Sequence, residues 1–342
     1  MNLERRIEGL VELGDYFKSH PPELHYLFYQ AEQKNPWFSQ KYLKYSIQAI
    51  TEKYLDKKSL LAWIERYNNL NLVDPKTIGL ILPGNIPLVG FHDIICIMVS
   101  GHRAMIKLSE RDNHLVPFVL NKWAEFDNSI KNEILLVDKL KDFDAAIATG
   151  SDNSSRYFEY YFRAVPHIIR KNRNGVAIIQ GNESDEELKG LGADIFAYYG
   201  LGCRNVSKIF VPKGYVFEKL LKAMEKYSDT ILHPKYKNNF DYNYAVCIIN
   251  KIPFLTNGNL LLVQDQDIPS GIGMVHYEYF NSLSELSDTV ASGMSKVQCI
   301  VSQHPVGDIP VIPFGTSQKP ELYDYADGVD TMTFLLSLND SI

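Results

Sequence analysis

NRNGVAIIQGNESDEELKGLGADIFAYYGLGCRNVSKIFVPKG, residues Asn172 to Gly214, parses as a strand, an acidic loop, a helix, a glycine-flanked cysteine and a second strand. Val176 to Gln180 is a short apolar run suited to a buried strand, and Lys208 to Pro212 is another. Between them, Gly-Asn-Glu-Ser-Asp-Glu-Glu gathers acids at the start of a helix, where the macrodipole favours negative charge. Gly200 and Gly202 flank the turn before Cys203 and are expected to supply positive φ and room for close approach. A lone cysteine is by default a small buried hydrophobe. On such a turn, followed by Arg204, Asn205 and Ser207, its thiol is also a candidate nucleophile.

The whole chain bounds what that unit can belong to. Its 342 residues are 45% hydrophobic and 22% charged, enough for two folded domains with their own cores. The formal net charge of −6 offers no basic excess to neutralise phosphates, so nucleic acid is not an expected partner. Cys96, Cys203, Cys247 and Cys299 are far apart with no CxxC pair, which suggests neither a zinc site nor a disulfide framework; no metal is expected. Cys96 (DIICIMVS), Cys247 (AVCIIN) and Cys299 (VQCIVS) sit in apolar runs and read as core. The first residues, MNLERRIEGLVELGDYF, are charged throughout and lack the apolar stretch of a signal peptide. No run reaches the roughly 18 apolar residues of a membrane span. A reducing, cytoplasmic setting is expected.

Upstream of residue 70 the periodicity is helical: Ile7, Leu10, Val11, Leu13 and Phe17 share one face, and Leu43, Ile47, Ile50, Leu55 and Leu60 continue it after Pro21-Pro22. Beyond Asp74-Pro75, strands alternate with helices. Thr77 to Leu82, Ala104 to Leu108 and Ala145 to Thr149 read as strands, and Leu88 to Ser100, Asn113 to Phe126 and Asn153 to Phe162 as helices. That order implies parallel strands with helical crossovers, yet no GxGxxG opens any of the helices. After Cys203 a helix is expected over Tyr215 to Tyr227 and another over Ser282 to Ser292. Strands are expected at Tyr244 to Ile249, Leu260 to Gln264, Met274 to Tyr279 and Val297 to Ser302. The domains are therefore drawn as a helical segment (1–70), a nicotinamide-cofactor-binding domain (71–171), a catalytic domain (172–304) and a C-terminal segment (305–342) that returns to the cofactor domain or makes an oligomer contact.

Four separated stretches, TIGLILPGNIPL (Thr77 to Leu88), GHRAMIKLSERD (Gly101 to Asp112), TGSDNSSRYF (Thr149 to Phe158) and the Cys203 segment, resemble in order and spacing the aldehyde dehydrogenase superfamily. The acyl-CoA reductase (LuxC-like) branch is the most similar, and the closing FGTSQKPELYDYADGVDTMTFLLSL resembles that branch in particular. The resemblance runs from about residue 75 to 340. It implies an α/β fold of two Rossmann-like domains, cofactor-binding and catalytic, with a helical N-terminal segment. It also implies a cofactor bound without GxGxxG. By this resemblance Cys203 is the nucleophile, and Asn85, in the turn Pro83-Gly84-Asn85-Ile86-Pro87, donates to the oxyanion that develops as the thiolate attacks. Lys107 and Ser109 would contact the adenine-side ribose. Thr149, Gly150 and Ser151 would meet the pyrophosphate and nicotinamide end at a helix N-terminus.

The resemblance also has gaps. The glycine four residues after Ser151 is replaced by Ser155. The glutamate that serves as hydrolytic base in aldehyde-oxidising relatives is absent from His167 to Arg173, which suits an enzyme that must keep its acyl-enzyme for reduction. The Glu-x-Phe-Gly-Pro motif falls near Ile268-Pro269-Ser270-Gly271 without its glutamate. The implied reaction is reduction of an acyl-CoA or acyl-carrier-protein thioester to a (fatty) aldehyde, with NADPH as cofactor and NADH as its alternative. Partners would be that acyl carrier and either further copies of the chain or an acyl-transfer complex. Two other readings stay open: a cysteine acyltransferase or thioesterase without redox chemistry, and a degenerate acyl-handling subunit. Glu110 opposes a 2′-phosphate if it faces the ribose, and among His233, His276 and His304 nothing selects a proton donor.

Overall fold

Apolar runs too short for helices become the strands of two sheets in the computed structural model, which describes residues 3–68, 70 and 74–339. The chain divides into two units, Met1–Asn172 with Lys319–Ile342, and Arg173–Gln318.

In the first unit, strands β1 (Thr77–Ile81), β2 (Arg103–Lys107), β3 (Ile134–Leu136), β4 (Ala145–Thr149) and β5 (His167–Arg170) form a parallel sheet ordered β3-β2-β1-β4-β5. Ile78 of β1 pairs with Ala104 on one side and Ala145 on the other. Central strands buried on both faces explain the unbroken apolar runs. β3 and β5 escaped the sequence reading: β3 is three residues long with Leu135 and Leu136 exposed, and β5 ends in Arg170, a poor strand signal.

Helices α1 (Leu3–Lys18), α2 (Glu23–Lys34), α3 (Gln40–Lys53) and α4 (Lys57–Ile64) precede the sheet. α5 (Phe91–Ser100), α6 (Leu115–Phe126), α7 (Ile130–Glu133) and α8 (Asp152–Phe162) connect its strands. The apolar stripe of α1 packs on α3, α5 and α6. α5 is buried along almost its whole length and stops at Gly101, whose φ of 93° provides the left-handed cap that turns the chain into β2.

The last helix, α13 (Thr331–Ser337), packs on α5. Arg170 explains part of that attachment, pairing with Asp93 at 2.5 Å and donating to Thr331 at 2.9 Å, all buried. His102 completes it. Its Nδ1 accepts from the N–H of Lys76 and its Nε2 donates to the carbonyl of Leu335, while burial pushes its pKa down, so a neutral imidazole ties the start of β1 to α13. The expected boundary after residue 70 adjoins residues 71–73, which lie outside the described part.

In the second unit, β6 (Asn174–Ile178), β7 (Val206–Pro212), β8 (Phe254–Thr256), β9 (Leu261–Gln264), β10 (Met274–Phe280) and β11 (Val297–Val301) form a sheet ordered β11-β6-β7-β10-β9-β8, parallel except for the edge strand β8. α9 (Asp185–Phe196), α10 (Glu218–Met224), α11 (Pro234–Ile249) and α12 (Leu283–Gly293) connect them. One expected strand is overturned: Tyr244 to Ile249 is the last part of α11. His233 caps that helix by accepting from the N–H of Tyr236, and Pro234 sits in its first turn. Tyr236, Phe240 and Cys247 face inward at helical spacing. Val246, Ile248 and Ile249 mimic a strand because they are β-branched, yet Ile248 and Ile249 are exposed. The helix expected from Tyr215 starts only at Glu218.

Candidate active site

The loop that carries Cys203 is built by the end of α9. Ser184 and Glu187 form a reciprocal capping box at its start, so the acidic loop does set the helix. At its other end Tyr198, Tyr199 and Gly200 take φ of 51°, 59° and 80° in succession. The sequence reading credited Gly200 and Gly202 with this freedom. Gly202 does not use it, and two tyrosines, for which the left-handed region is costly, do.

Asn205 accounts for the cost. It is buried; its Oδ1 accepts from the N–H of Gly202 at 2.7 Å. Its Nδ2 donates to the carbonyls of Asp194 (2.9 Å), Ile195 (3.3 Å) and Ala197 (2.9 Å). One side chain thus satisfies the frayed carbonyl end of α9 and closes the turn over residues 202–205. Gly175 makes the matching approach: a Cβ there would lie 2.6 Å from the carbonyl oxygen of Arg204, so β6 can run beside the loop only as glycine. Asp194, also buried, accepts from the N–H groups of Gly315 and Ser317; burial lifts its pKa to about 6 against the pull of those bonds.

Cys203 is half-buried and not in a disulfide. Cys299 of β11 lies close by, its Sγ 3.7 Å from the carbonyl of Arg204. Burial pushes the Cys299 thiol up to about 12, while the Arg204 guanidinium lowers it and Cys203 raises it further. The three side chains therefore share one electrostatic neighbourhood. β7 also fixes the loop at Ile268 to Gly271, which lacks the glutamate of the Glu-x-Phe-Gly-Pro motif. Ser207 donates to the carbonyl of Ile268, and the buried ammonium of Lys208 donates to the carbonyl of Gln266 while pairing with Glu278 at 2.5 Å. Of the three histidines, His233 packs at a tilt of 31° on Tyr199 with ring centroids 4.2 Å apart, beside the Cys203 turn. His276 is bound at Nδ1 to the carbonyl of Asp267.

The first unit brings its expected residues to the carboxyl ends of its parallel strands. The order in which strands are added reverses between β1 and β4, and that switch point is where open α/β sheets form their ligand crevice. Asn85 follows β1 there, Thr149 ends β4, and Gly150 and Ser151 follow it. Lys107 and Ser109, at the end of β2, line a cavity of about 470 Å³ with Glu110, Asn113, Val137 and Asp138. Ser151 caps α8 by accepting from the N–H of Ser154, the plain structural role its motif allows. Gly150 is required by packing, since a Cβ would fall 2.9 Å from that of Ser154. His167 to Arg173, the stretch without the hydrolytic glutamate, includes β5, and Arg170 is committed to Asp93. A separate apolar cavity of about 630 Å³ lies among α1, α2 and α3, bounded by Phe17, Leu24, Phe28 and Ile47, and none of the expected site residues touches it.

The sequence reading missed Asn205 as a clamp, Asp194 as a tether, and Asp112, whose Oδ2 accepts from the N–H of Leu88 at 2.8 Å. Among the described residues no group of three His, Cys, Asp or Glu side chains could hold a metal, and no helix is long and apolar enough to cross a membrane.

A parallel sheet, and a second one parallel except for its edge strand, make a fold that solved aldehyde dehydrogenases share. The NAD-dependent aldehyde dehydrogenase of Sinorhizobium meliloti matches with a TM-score of 0.65 at 12% identity, over 89% of this chain and 71% of that one. Aldehyde dehydrogenase from Bacillus cereus, in complex with NAD+, matches at 0.64 and 16% identity over 89% and 72%. Betaine aldehyde dehydrogenase from Staphylococcus aureus, also with NAD+, matches at 0.62 and 13% over 84% and 68%. At these identities the likeness is one of fold. No curated protein sequence matches the chain.

The chain matches the acyl-CoA reductase (LuxC) family over residues 19–256 and belongs to it. It is accordingly an oxidoreductase acting on acyl or aldehyde groups. The match begins inside the N-terminal helices, well before residue 75 where the resemblance was first legible, and extends past Cys203.

Proposed function

We propose that the protein reduces an acyl-CoA, or an acyl carrier protein thioester, to the aldehyde through a covalent acyl-enzyme on Cys203, using NADPH. The observation that carries the reading is family membership across residues 19–256, a span containing a thiol held on a turn fixed by Asn205.

The Cys203 thiolate attacks the thioester carbonyl carbon; the bond to CoA breaks, and CoA leaves as a thiolate that takes up a proton. A nicotinamide dinucleotide, which Lys107, Ser109, Thr149, Gly150 and Ser151 would hold, would supply the hydride that the carbonyl carbon of the acyl-enzyme takes up. The thiohemiacetal on Cys203 then collapses, breaking its carbon–sulfur bond to release aldehyde and restore the thiolate. Charge gathers on the same oxygen in both stages, and the side-chain amide of Asn85 and the backbone N–H of Cys203 are assigned to it. Arg204, next in sequence, favours the thiolate. With no carboxylate assigned to activate water, the acyl-enzyme is kept for reduction.

The first unit suits a nicotinamide dinucleotide in three respects: a switch-point crevice, a helix N-terminus at Ser151, and the cavity beside Lys107 for the ribose and base. One observation favours a second reading of the cofactor. That cavity sets Glu110 and Asp138 against the single cation Lys107, and carboxylates suit free ribose hydroxyls better than a 2′-phosphate. Comparing kcat/KM for the two reduced cofactors decides the point. If NADH wins, Glu110→Gln should narrow the gap.

The reaction is tested by supplying acyl-CoAs of graded length with either cofactor, following oxidation of the nicotinamide and trapping the aldehyde. Oxidation that Cys203→Ala abolishes supports the reading. CoA release without oxidation would favour the acyltransferase alternative, and no turnover of either kind the degenerate subunit.

A further inference from the structure

The turn that presents Asn85 is held from outside by a carboxylate. Leu88, the first residue beyond Pro87, has a φ of 55°, a conformation costly for a branched side chain. Its N–H donates to Asp112 Oδ2 at 2.8 Å, and the carbonyl of Pro87 accepts from the hydroxyl of Ser46 at 2.9 Å. Asp112 is buried, and its N–H donates to the carbonyl of Ser109 at 3.1 Å. The other end of the turn leans on the same loop: a Cβ at Gly84 would lie 2.8 Å from that of Ser109 and 2.9 Å from that of Arg111. The segment Lys107 to Asp112, whose first residues line the ribose-side cavity, is thus locked to both ends of Pro83 to Leu88. Asp112 also accepts from the N–H of Leu115 at the start of α6, so one buried carboxylate joins the turn to that helix.

We infer that Asp112 is a positioning residue for the reaction, setting the direction of the Asn85 amide through the Leu88 N–H and tying it to the loop beside the cofactor cavity. The inference rests on the oxyanion role proposed for Asn85. It extends that role to a residue that touches neither substrate nor cofactor. Asp112→Asn keeps an acceptor for Leu88 and should retain most activity, whereas Asp112→Ala frees the turn.

The test combines kinetics with hydrogen exchange on the full chain. Asp112→Ala should slow acylation of Cys203, measured without nicotinamide, by about 10- to 100-fold, the scale of a displaced catalytic group. Exchange should quicken across residues 84–88 and at Leu115 while β1 and the later turns of α6 keep their protection. In the Asn85→Ala background, itself slowed by about 100-fold or more, Asp112→Ala should cost nothing further. Asp112→Ser, whose hydroxyl is too short to reach the amide, serves if the alanine variant does not fold. Unchanged exchange at 84–88, or losses that multiply in the double variant, would overturn the inference. Full activity in Asn85→Ala would refute the oxyanion assignment itself, and this inference with it.

Discussion

Replacing Asn205 with alanine isolates what the Cys203 turn costs and what holds it. The side chain is buried and makes four hydrogen bonds, one accepted from Gly202 and three donated to Asp194, Ile195 and Ala197. Alanine leaves a buried N–H without its acceptor and the carbonyls at the end of α9 without their donor. At about 1 kcal/mol for each of the three shorter bonds, the loss is roughly 3 kcal/mol, and more if water cannot reach the abandoned groups. Opening of the segment should then be about 100-fold more frequent, at 1.4 kcal/mol per tenfold. Native-state hydrogen exchange measures this locally, which matters in a chain of two units whose global unfolding need not be two-state. Amides from Ile195 to Val206 should exchange about 100-fold faster, with those of β1 and β4 unaffected. Asn205→Asp, which keeps the acceptor but turns a carboxylate toward three carbonyls, should be at least as damaging. A change smaller than about tenfold in the alanine variant would refute the claim that Asn205 offsets the strain at Tyr198 and Tyr199.

Other consequences follow from buried charge and thiol environment. Asp93→Ala strands the guanidinium of Arg170 inside the first unit and should cost about 3–5 kcal/mol in urea unfolding, while replacing both partners with apolar residues should cost far less. Burial raises the Asp112 pKa from 3.8 to about 7. The folded chain therefore binds that proton more tightly than the unfolded one, and stability present at low pH is lost as pH rises from about 4 through 7. Urea midpoints at pH 5 and pH 8 should accordingly differ less in Asp112→Asn than in the parent. Iodoacetamide mapping should label Cys203 first and Cys96 and Cys299 last, since burial raises the pKa of both latter thiols. Cys299, expected in the core, is only half-buried like Cys203, so faster labelling there would show that burial does not hold its thiol up.

Much of this was legible in the residues because local chemistry and fold agree. The acids after Gly181 do start α9, and the apolar runs at Thr77, Ala104 and Ala145 do pair in parallel, because short unbroken runs between helices have few other ways to be buried. The failures are as physical. Tyr244 to Ile249 carries β-branched residues on the exposed end of a helix whose identity is fixed upstream, by His233 and Pro234 and by the spacing of Tyr236 and Phe240. The left-handed tyrosines could not be anticipated, since nothing local to Tyr198 and Tyr199 favours that conformation. The turn beyond them is closed by Asn205, whose carbonyl partners lie 8 to 11 residues back along the chain. Asp112 was hidden for the same reason: its partner, Leu88, is 24 residues away. The position of each motif was written in the sequence, and the side chains that hold the motifs were not.

The central claim, that Cys203 carries the acyl group between thioester and aldehyde, is tested most directly by a single turnover in two stages. Protein is mixed with acyl-CoA and no nicotinamide, and the acyl adduct is located by peptide mass spectrometry. Reduced cofactor is then added and aldehyde release followed by rapid quench. The account predicts an adduct on Cys203 that forms with release of CoA, persists without cofactor, and is discharged as aldehyde at a rate matching turnover. An adduct on another residue, or aldehyde formed with Cys203 unmodified or replaced by alanine, would contradict it.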